Sequence, residues 1–228
     1  MKPIALLLAL AAIPVAMGAH ALATSGSAGF VQAGVDESGD TRPARDVRAI
    51  RREIRTDAVA PTIAPRGYDV TIVMFSDYQC GYCRKVNPVL DALMQSDPKV
   101  RLVYRDWPIL GKGSPEAARA AIAAKYQGRH GAFHNALMGL SGRIDDTKLQ
   151  TAAAKAGVDW PRLQRDQSAR KGEIDAVLAR TNRYARMLGL TGTPGMMVGP
   201  FVLPGAVDLP TLQRAVKAAR ASDDPGGS

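Results

Sequence analysis

The chain holds two cysteines, Cys80 and Cys83, set three apart in the stretch SDYQCGYCRK at 76–85. Such a pair admits three chemistries: half of a metal site, a structural bridge, or a dithiol that cycles with its disulfide. A bridge between these positions closes a very small loop, so it removes little unfolded-state entropy and adds little stability. A metal reading, a copper- or zinc-binding module, needs further ligands, and His130 and His134 stand four apart in a predicted helix. Forty-six residues separate Cys83 from His130, against about a dozen between the halves of a finger-type site. Both histidines read instead as surface or half-buried helix residues.

The redox reading gains from the elements on either side. Upstream, VTIVMF at 70–75 is a continuous β-branched and aromatic run, the pattern of a strand buried on both faces. Downstream, Val86, Val89, Leu90 and Leu93 form a helical stripe that ends at SDP, 96–98, with Pro88 expected to kink it. Strand, short turn and helix therefore place Cys80 at a helix N-terminus, where unpaired N–H groups and the macrodipole favour a thiolate. Cys83 lies one turn further in, in position to attack a mixed disulfide held on Cys80. Arg84 and Lys85 read as ordinary solvated side chains of that helix.

The rest of the chain supplies the frame. KVRLVYRDW at 99–107 alternates Val100, Leu102 and Tyr104 with charged neighbours and reads as a second strand. From Ser114 to Leu188 the pattern is helical, with Ser114-Pro115 as a start and Gly157 and Gly189 as stops. A hairpin at Met196–Val198 and Phe201–Leu203 and a last helix from about Leu209 to Ala219 complete an α/β sheet with a helical insertion.

Residues 1–23 have the form of a secretory signal: Lys2, an apolar run from Ile4 to Met17, and AHALA as the cleavage site. An uncleaved anchor is the alternative. Export puts the mature chain outside the cytoplasm, where disulfides form and persist. A Gly/Ser-rich leader follows, and residues 45–57 form a short amphipathic helix with Val47, Ile50 and Ile54 on one side and Arg45, Arg48, Arg52 and Arg55 opposite. That helix either packs on its own subunit or serves self-association or a membrane surface. The net charge, +9 and +8 once Lys2 is lost, reads as a solvated basic surface. No aromatic-interleaved basic stretch points to nucleic acid.

The ordered motifs DVTIVMFSDYQCGYC, WPILG (107–111), AARAAIAAKYQG, FHNALM and LGLTGTPGMMVG resemble the DsbA-like disulfide oxidoreductases of the bacterial periplasm, in the suppressor of copper sensitivity C subgroup. The resemblance runs from about Ile63 to Ala219. It implies a thioredoxin domain over 61–222 with its helical insertion at about 112–188, a leader at 24–60 and a disordered tail at 223–228. It also implies Cys80 and Cys83 as catalytic residues, no cofactor, and an active-site loop of Gly81, Tyr82, Thr193 and Pro194, with Pro194 cis and facing the pair. The exposed backbone of that loop would pair with an extended substrate segment. Expected partners are exported cysteine-containing proteins, a membrane redox protein (DsbB- or DsbD-like), and, through the 45–57 helix, a second copy of the chain. Gly81-Tyr82 and Thr193 resemble isomerases and reductases more than the strongest oxidants, with a dithiol oxidase as the alternative. One departure stands out: relatives carry a buried acid six residues before the first cysteine, where this chain has Met74. Asp77 lies nearer the pair, and a loop or cap role fits it better than substitution for that acid.

Overall fold

Four strands rich in apolar residues hold the sheet together, and two short strands extend it. The computed structural model describes residues 31–32 and 44–227. The 1–23 signal segment and most of the 24–43 leader lie outside them. Strands β1 (Val31–Gln32), β2 (Thr62–Ile63), β3 (Val70–Ser76), β4 (Val100–Asp106), β5 (Gly195–Val198) and β6 (Phe201–Pro204) form one mixed sheet in the order β1-β6-β5-β3-β4-β2. β3 and β4 are parallel, and the other pairs are antiparallel. Every residue of β3 is buried, as its unbroken apolar run requires of a strand covered on both sides.

The period of two sorts the side chains onto two faces. Ile72, Met74, Leu102, Tyr104, Met196 and Val198 face the helices α2 (Gly81–Ser96) and α8 (Leu209–Arg220). Val73, Phe75, Val103 and Met197 face α1 (Ala44–Thr56) and a helical block between β4 and β5. The block comprises α3 (Ser114–Ala124), α4 (His130–Met138), α5 (Asp146–Ala156), α6 (Trp160–Ala169) and α7 (Lys171–Met187). Its starts are written in the sequence: Asp145 and Asp159 cap α5 and α6 by accepting from Lys148 N–H and Arg162 N–H. α2 runs through Pro88 without a break in helical assignment.

Sequence reasoning did not find β1, β2 or α6; β1 falls in the stretch read as a flexible leader and pairs with β6. β2 is two residues long and pairs with β4 at the sheet edge, inside a stretch that reads as a linker. α6 buries only Leu163, too little for an apolar period to show. β4 also departs from the expected half-exposed strand: Arg105, read as an outward charge, is fully buried.

Arg105 explains how α1 is held. Its guanidinium donates to the Ile54 carbonyl from Nε (3.1 Å) and Nη2 (2.6 Å), to the Glu53 carbonyl, and to Asp57 Oδ2 at 2.9 Å. A cation thus meets the C-terminal carbonyls of α1, where the macrodipole favours positive charge. Asp57 also takes two bonds from Arg180, at 2.7 and 3.0 Å. Burial acts to raise its pKa, but the Arg180 and Arg105 guanidiniums prevail and hold it at about 2. Replacing Arg105 by methionine strands these acceptors, and the expected cost is about 3 kcal/mol in urea unfolding; a loss under about 1 kcal/mol would show that the cluster is dispensable.

The other side of α1 is occupied by the chain's own C-terminus. Arg51 and Arg55 are buried and pair with Asp224 at 3.3 and 2.7 Å, and Arg48 pairs with Asp223. Thr71 N–H donates to the Pro225 carbonyl at 3.1 Å. Residues 223–227, expected as a disordered tail, are therefore bonded to α1 and to the start of β3. Arg55, assigned by period to the solvent side, is buried for the same reason. Ile54 and these arginines are consumed within the subunit, so a second copy would meet only the outer face of the helix.

Candidate active site

The strand-to-helix turn at 77–80 is built by Asp77. Its carboxylate accepts from Gln79 N–H (2.8 Å), Ile109 N–H (2.8 Å), Leu110 N–H (2.9 Å) and the Ser114 hydroxyl (2.8 Å). All its bonds go to loop and helix-start groups, the role its position suggested. Gln79 extends the clamp: its amide nitrogen donates to the Leu110 and Lys112 carbonyls and to Ser114 Oγ, while its oxygen accepts from Ile144 N–H at 2.8 Å. Gly113, at φ 94°, lies where the two clamped loops touch; a Cβ there would meet the Ile144 carbonyl oxygen at 2.3 Å.

Cys80 is the N-cap of α2, and its sulfur accepts from Cys83 N–H at 3.4 Å. The same sulfur lies 3.2 Å from the Thr193 carbonyl oxygen. The Thr193–Pro194 peptide is cis, and Pro194 is buried beside β5. Gly195 follows because a Cβ at that position would strike the Leu190 side chain at 2.7 Å. Cys80 and Cys83 approach to 3.3 Å as free thiols. Gly81 and Tyr82 are exposed on the first turn of α2, Tyr82 at 64%. The structure thus gathers Cys80, Cys83, Thr193 and Pro194, with Gly81 and Tyr82 at the surface above them.

Burial pushes the Cys83 thiol up to about 12, and the neighbouring Cys80 acts in the same direction. The Asp77 main chain and the Thr193 hydroxyl oppose the rise. Arg84 reaches the Tyr78 carbonyl at 3.4 Å, and the Lys85 ammonium lies over the Tyr82 ring at 5.3 Å. Both belong to the surface around the dithiol.

Behind the pair lies a polar cluster that sequence reasoning missed. His130 and His134, expected at the surface or half-buried, are buried on α4 against the Tyr104 ring, at centroid distances of 4.7 and 4.6 Å. His134 Nε2 lies 2.8 Å from Asn87 Oδ1, and its Nδ1 lies 3.0 Å from the Tyr78 hydroxyl. Because Asn87 Nδ2 donates to Asn135 Oδ1, Asn87 Oδ1 must accept. His134 therefore carries its proton on Nε2, and Nδ1 accepts from Tyr78. Burial lowers the His134 pKa to about 3, so the ring stays neutral. Among the described residues no group of three His, Cys, Asp or Glu side chains could hold a metal.

Asp106 completes that cluster. It pairs in register with Ser76 at the ends of β4 and β3, one alternate position beyond the Met74–Tyr104 pair. Met74 itself sits among apolar side chains, with Val86, Leu90, Tyr104 and Met196 in the same buried cluster. A buried carboxyl is thus present on the neighbouring strand. Both Asp106 oxygens lack a hydrogen-bond partner among the described residues, since the single Tyr78 hydroxyl proton goes to His134. Burial, reinforced by the charge of Asp77, pushes Asp106 up to about 7.

A CxxC at the head of a helix, set against a cis-proline at the start of a strand in a mixed sheet, defines a thioredoxin-fold dithiol protein. The comparisons make this specific. The chain belongs to the DSBA-like thioredoxin domain family, which matches residues 71–217. It is 45% identical to a thioredoxin-like oxidoreductase from Silicibacter pomeroyi DSS-3, with a TM-score of 0.72 over 75% of this chain and 98% of that one. A periplasmic thioredoxin-like protein from Salmonella enterica serovar Typhimurium is 28% identical, with a TM-score of 0.65 over 76% and 97%. The catalytic domain of Proteus mirabilis ScsC is 26% identical, with a TM-score of 0.69 over 78% and 99%. Among curated proteins, 68% of the chain matches a protein named Na(+)/H(+) antiporter NhaA 1 from Salinispora arenicola at 29% identity. The match spans only 24% of that protein's length.

Proposed function

We propose that the protein exchanges disulfides with exported, cysteine-containing polypeptides in the periplasm, with Cys80 as nucleophile and Cys83 as resolving thiol, and that it works as an isomerase or reductase. The observation that carries this reading is the Cys80 sulfur at the head of α2, 3.2 Å from the Thr193 carbonyl beside cis-Pro194, with Cys83 immediately behind.

The Cys80 thiolate attacks one sulfur of a substrate disulfide; a mixed disulfide forms and the other substrate sulfur leaves as thiolate. Cys83 then gives up its proton and attacks the Cys80 sulfur. That step forms the Cys80–Cys83 disulfide and releases the reduced substrate, which carries away two electrons. In isomerisation a substrate thiol attacks the mixed disulfide instead and regenerates reduced Cys80. Thr193, next to cis-Pro194, presents its backbone to an extended substrate segment, a mode with little sequence demand.

The direction rests on the Gly81-Tyr82 dipeptide and on Thr193 before Pro194, which resemble those of isomerases and reductases. Export rests on the signal-like segment at 1–23 and on the periplasmic relative. A membrane redox protein of DsbB or DsbD type would reset the pair.

The test joins the reduction potential of the Cys80–Cys83 pair, measured against glutathione buffers, with refolding of scrambled ribonuclease. The expected potential lies well below the roughly −120 mV of a strong oxidase, with native ribonuclease activity regained. A value near about −120 mV without isomerisation would overturn the isomerase or reductase direction and leave exchange standing. Background rates in both insulin reduction and ribonuclease refolding would overturn exchange.

A further inference from the structure

Beside the dithiol lies an open cleft of about 430 Å³, lined by Gln79, Leu110, Lys112, Gly142 and Arg143. Gln79 immediately precedes Cys80 in the chain, and its side chain clamps both loops that wall the cleft. The loop around Gly142 is held from below as well, where the Lys148 ammonium donates to the Ser141 and Arg143 carbonyls at 2.7 Å each. The walls are therefore pre-formed, and little ordering cost falls on a ligand.

The charge of the cleft has one sign. Neither the Lys112 ammonium nor the Arg143 guanidinium has an ion pair or hydrogen bond among the described residues. The nearby carboxylates bond elsewhere, Asp77 to the turn and the Ser114 hydroxyl, Glu116 to Gly113 N–H at 3.1 Å and Asp145 to Lys148 N–H at 2.9 Å, so none of the three pairs with either cation. Apolar surface flanks the cations, with Leu110 48% and Ile109 40% exposed. A ligand that satisfies both features is a polypeptide segment carrying acidic side chains among apolar ones.

We propose that this cleft receives an acidic segment of the substrate polypeptide flanking the reacting cysteine, with Lys112 and Arg143 as the selecting cations. The inference rests on the exchange reaction proposed above and adds a substrate class to it. Backbone pairing at Thr193 accepts any sequence, whereas the two cations favour carboxylates. Two solvent-exposed pairs together give a preference of about five-fold.

The test uses the full mature chain in its reduced form. The probes are three synthetic peptides, each with one cysteine capped by 2-mercaptoethanol as a mixed disulfide and flanked on both sides by Asp, Asn or Lys. Uncharged bis(2-hydroxyethyl) disulfide is the reference. At low salt the Asp peptide is expected to react about five-fold faster than the Lys peptide, and the difference should vanish near 0.5 M salt, about a 4 Å screening length. In the Lys112→Glu/Arg143→Glu double variant the ranking of the peptides is expected to invert. Equal low-salt rates for all three peptides, or an unchanged ranking in the double variant, would overturn the cleft assignment. Failure of the wild-type protein to reduce bis(2-hydroxyethyl) disulfide would overturn the exchange reaction instead.

Discussion

Replacing Cys80 by serine is expected to reduce disulfide exchange to the uncatalysed background, whereas replacing Cys83 by serine is expected to leave the first attack intact and turn the protein into a trap for its substrates. The asymmetry follows from placement. The Cys80 sulfur caps α2 and faces the Thr193 carbonyl, so it is the sulfur an incoming disulfide meets. Cys83 is fully buried, with its thiol pushed up to about 12, and the sulfur within its reach is that of Cys80, which it attacks once a substrate is bonded there. Without it, the covalent intermediate is released only by an outside thiol. In the Cys83→Ser protein, mixed disulfides are expected to accumulate and to resolve on non-reducing gels. In the wild-type protein their lifetime is expected to shorten as the pH rises, because Cys83 must lose its proton to attack. Trapping by Cys80→Ser but not by Cys83→Ser would reverse the assignment of the two roles.

Asp106→Asn is expected to stabilise the protein at alkaline pH and to change little in acid. The folded carboxyl titrates at about 7, while an unfolded aspartate titrates near 3.9. Between those values the folded state holds a proton that the unfolded state has released. Stability contributed by this group is therefore present in acid and lost as the pH rises to 7, by on the order of 4 kcal/mol in total. The buried histidines act with the opposite sign. His134, at about 3 when folded, contributes stability at neutral pH that is lost as the pH falls below its unfolded value, and His130 is lowered in the same direction. Comparing the variant with the parent protein cancels the histidine contributions, since both proteins carry them. Asparagine keeps the shape and bears no charge, so the stability difference should open between about pH 4 and pH 8. Urea unfolding across that range reads it directly; parallel curves for the two proteins would show that Asp106 is not a burdened buried acid.

Much of this site could be read in the chain before any coordinates. The β-branched run at 70–75, the turn residues and the stripe from Val86 to Leu93 place the CxxC between a buried strand and a helix, and the structure has β3 and α2 there. The helix starts are local too, because an aspartate capping an amide three residues ahead needs nothing from the rest of the protein. Arg51, Arg55 and Arg105 were not legible. An arginine at helical or strand spacing looks like a solvated charge until its partner is known, and here the partners lie 169 and 173 residues from Arg55 and Arg51, and 48 from Arg105.

The buried chemistry behind the dithiol has the same character. Met74 is visible in the sequence as a missing acid, yet nothing local says that Asp106, on the adjacent strand, brings a carboxyl to the same face. His130 and His134 carry helical spacing but no sign of burial, which comes only when α4 meets Tyr104 and Asn87. Local propensity and hydrophobic period thus determined the elements and the dithiol at the head of its helix. The tertiary structure decided which charges are buried, where the acid lies, and which two cations line the cleft beside Cys80. The physical reason is that capping and periodicity act within a turn or two of chain, whereas desolvation and charge pairing depend on groups that only folding brings together.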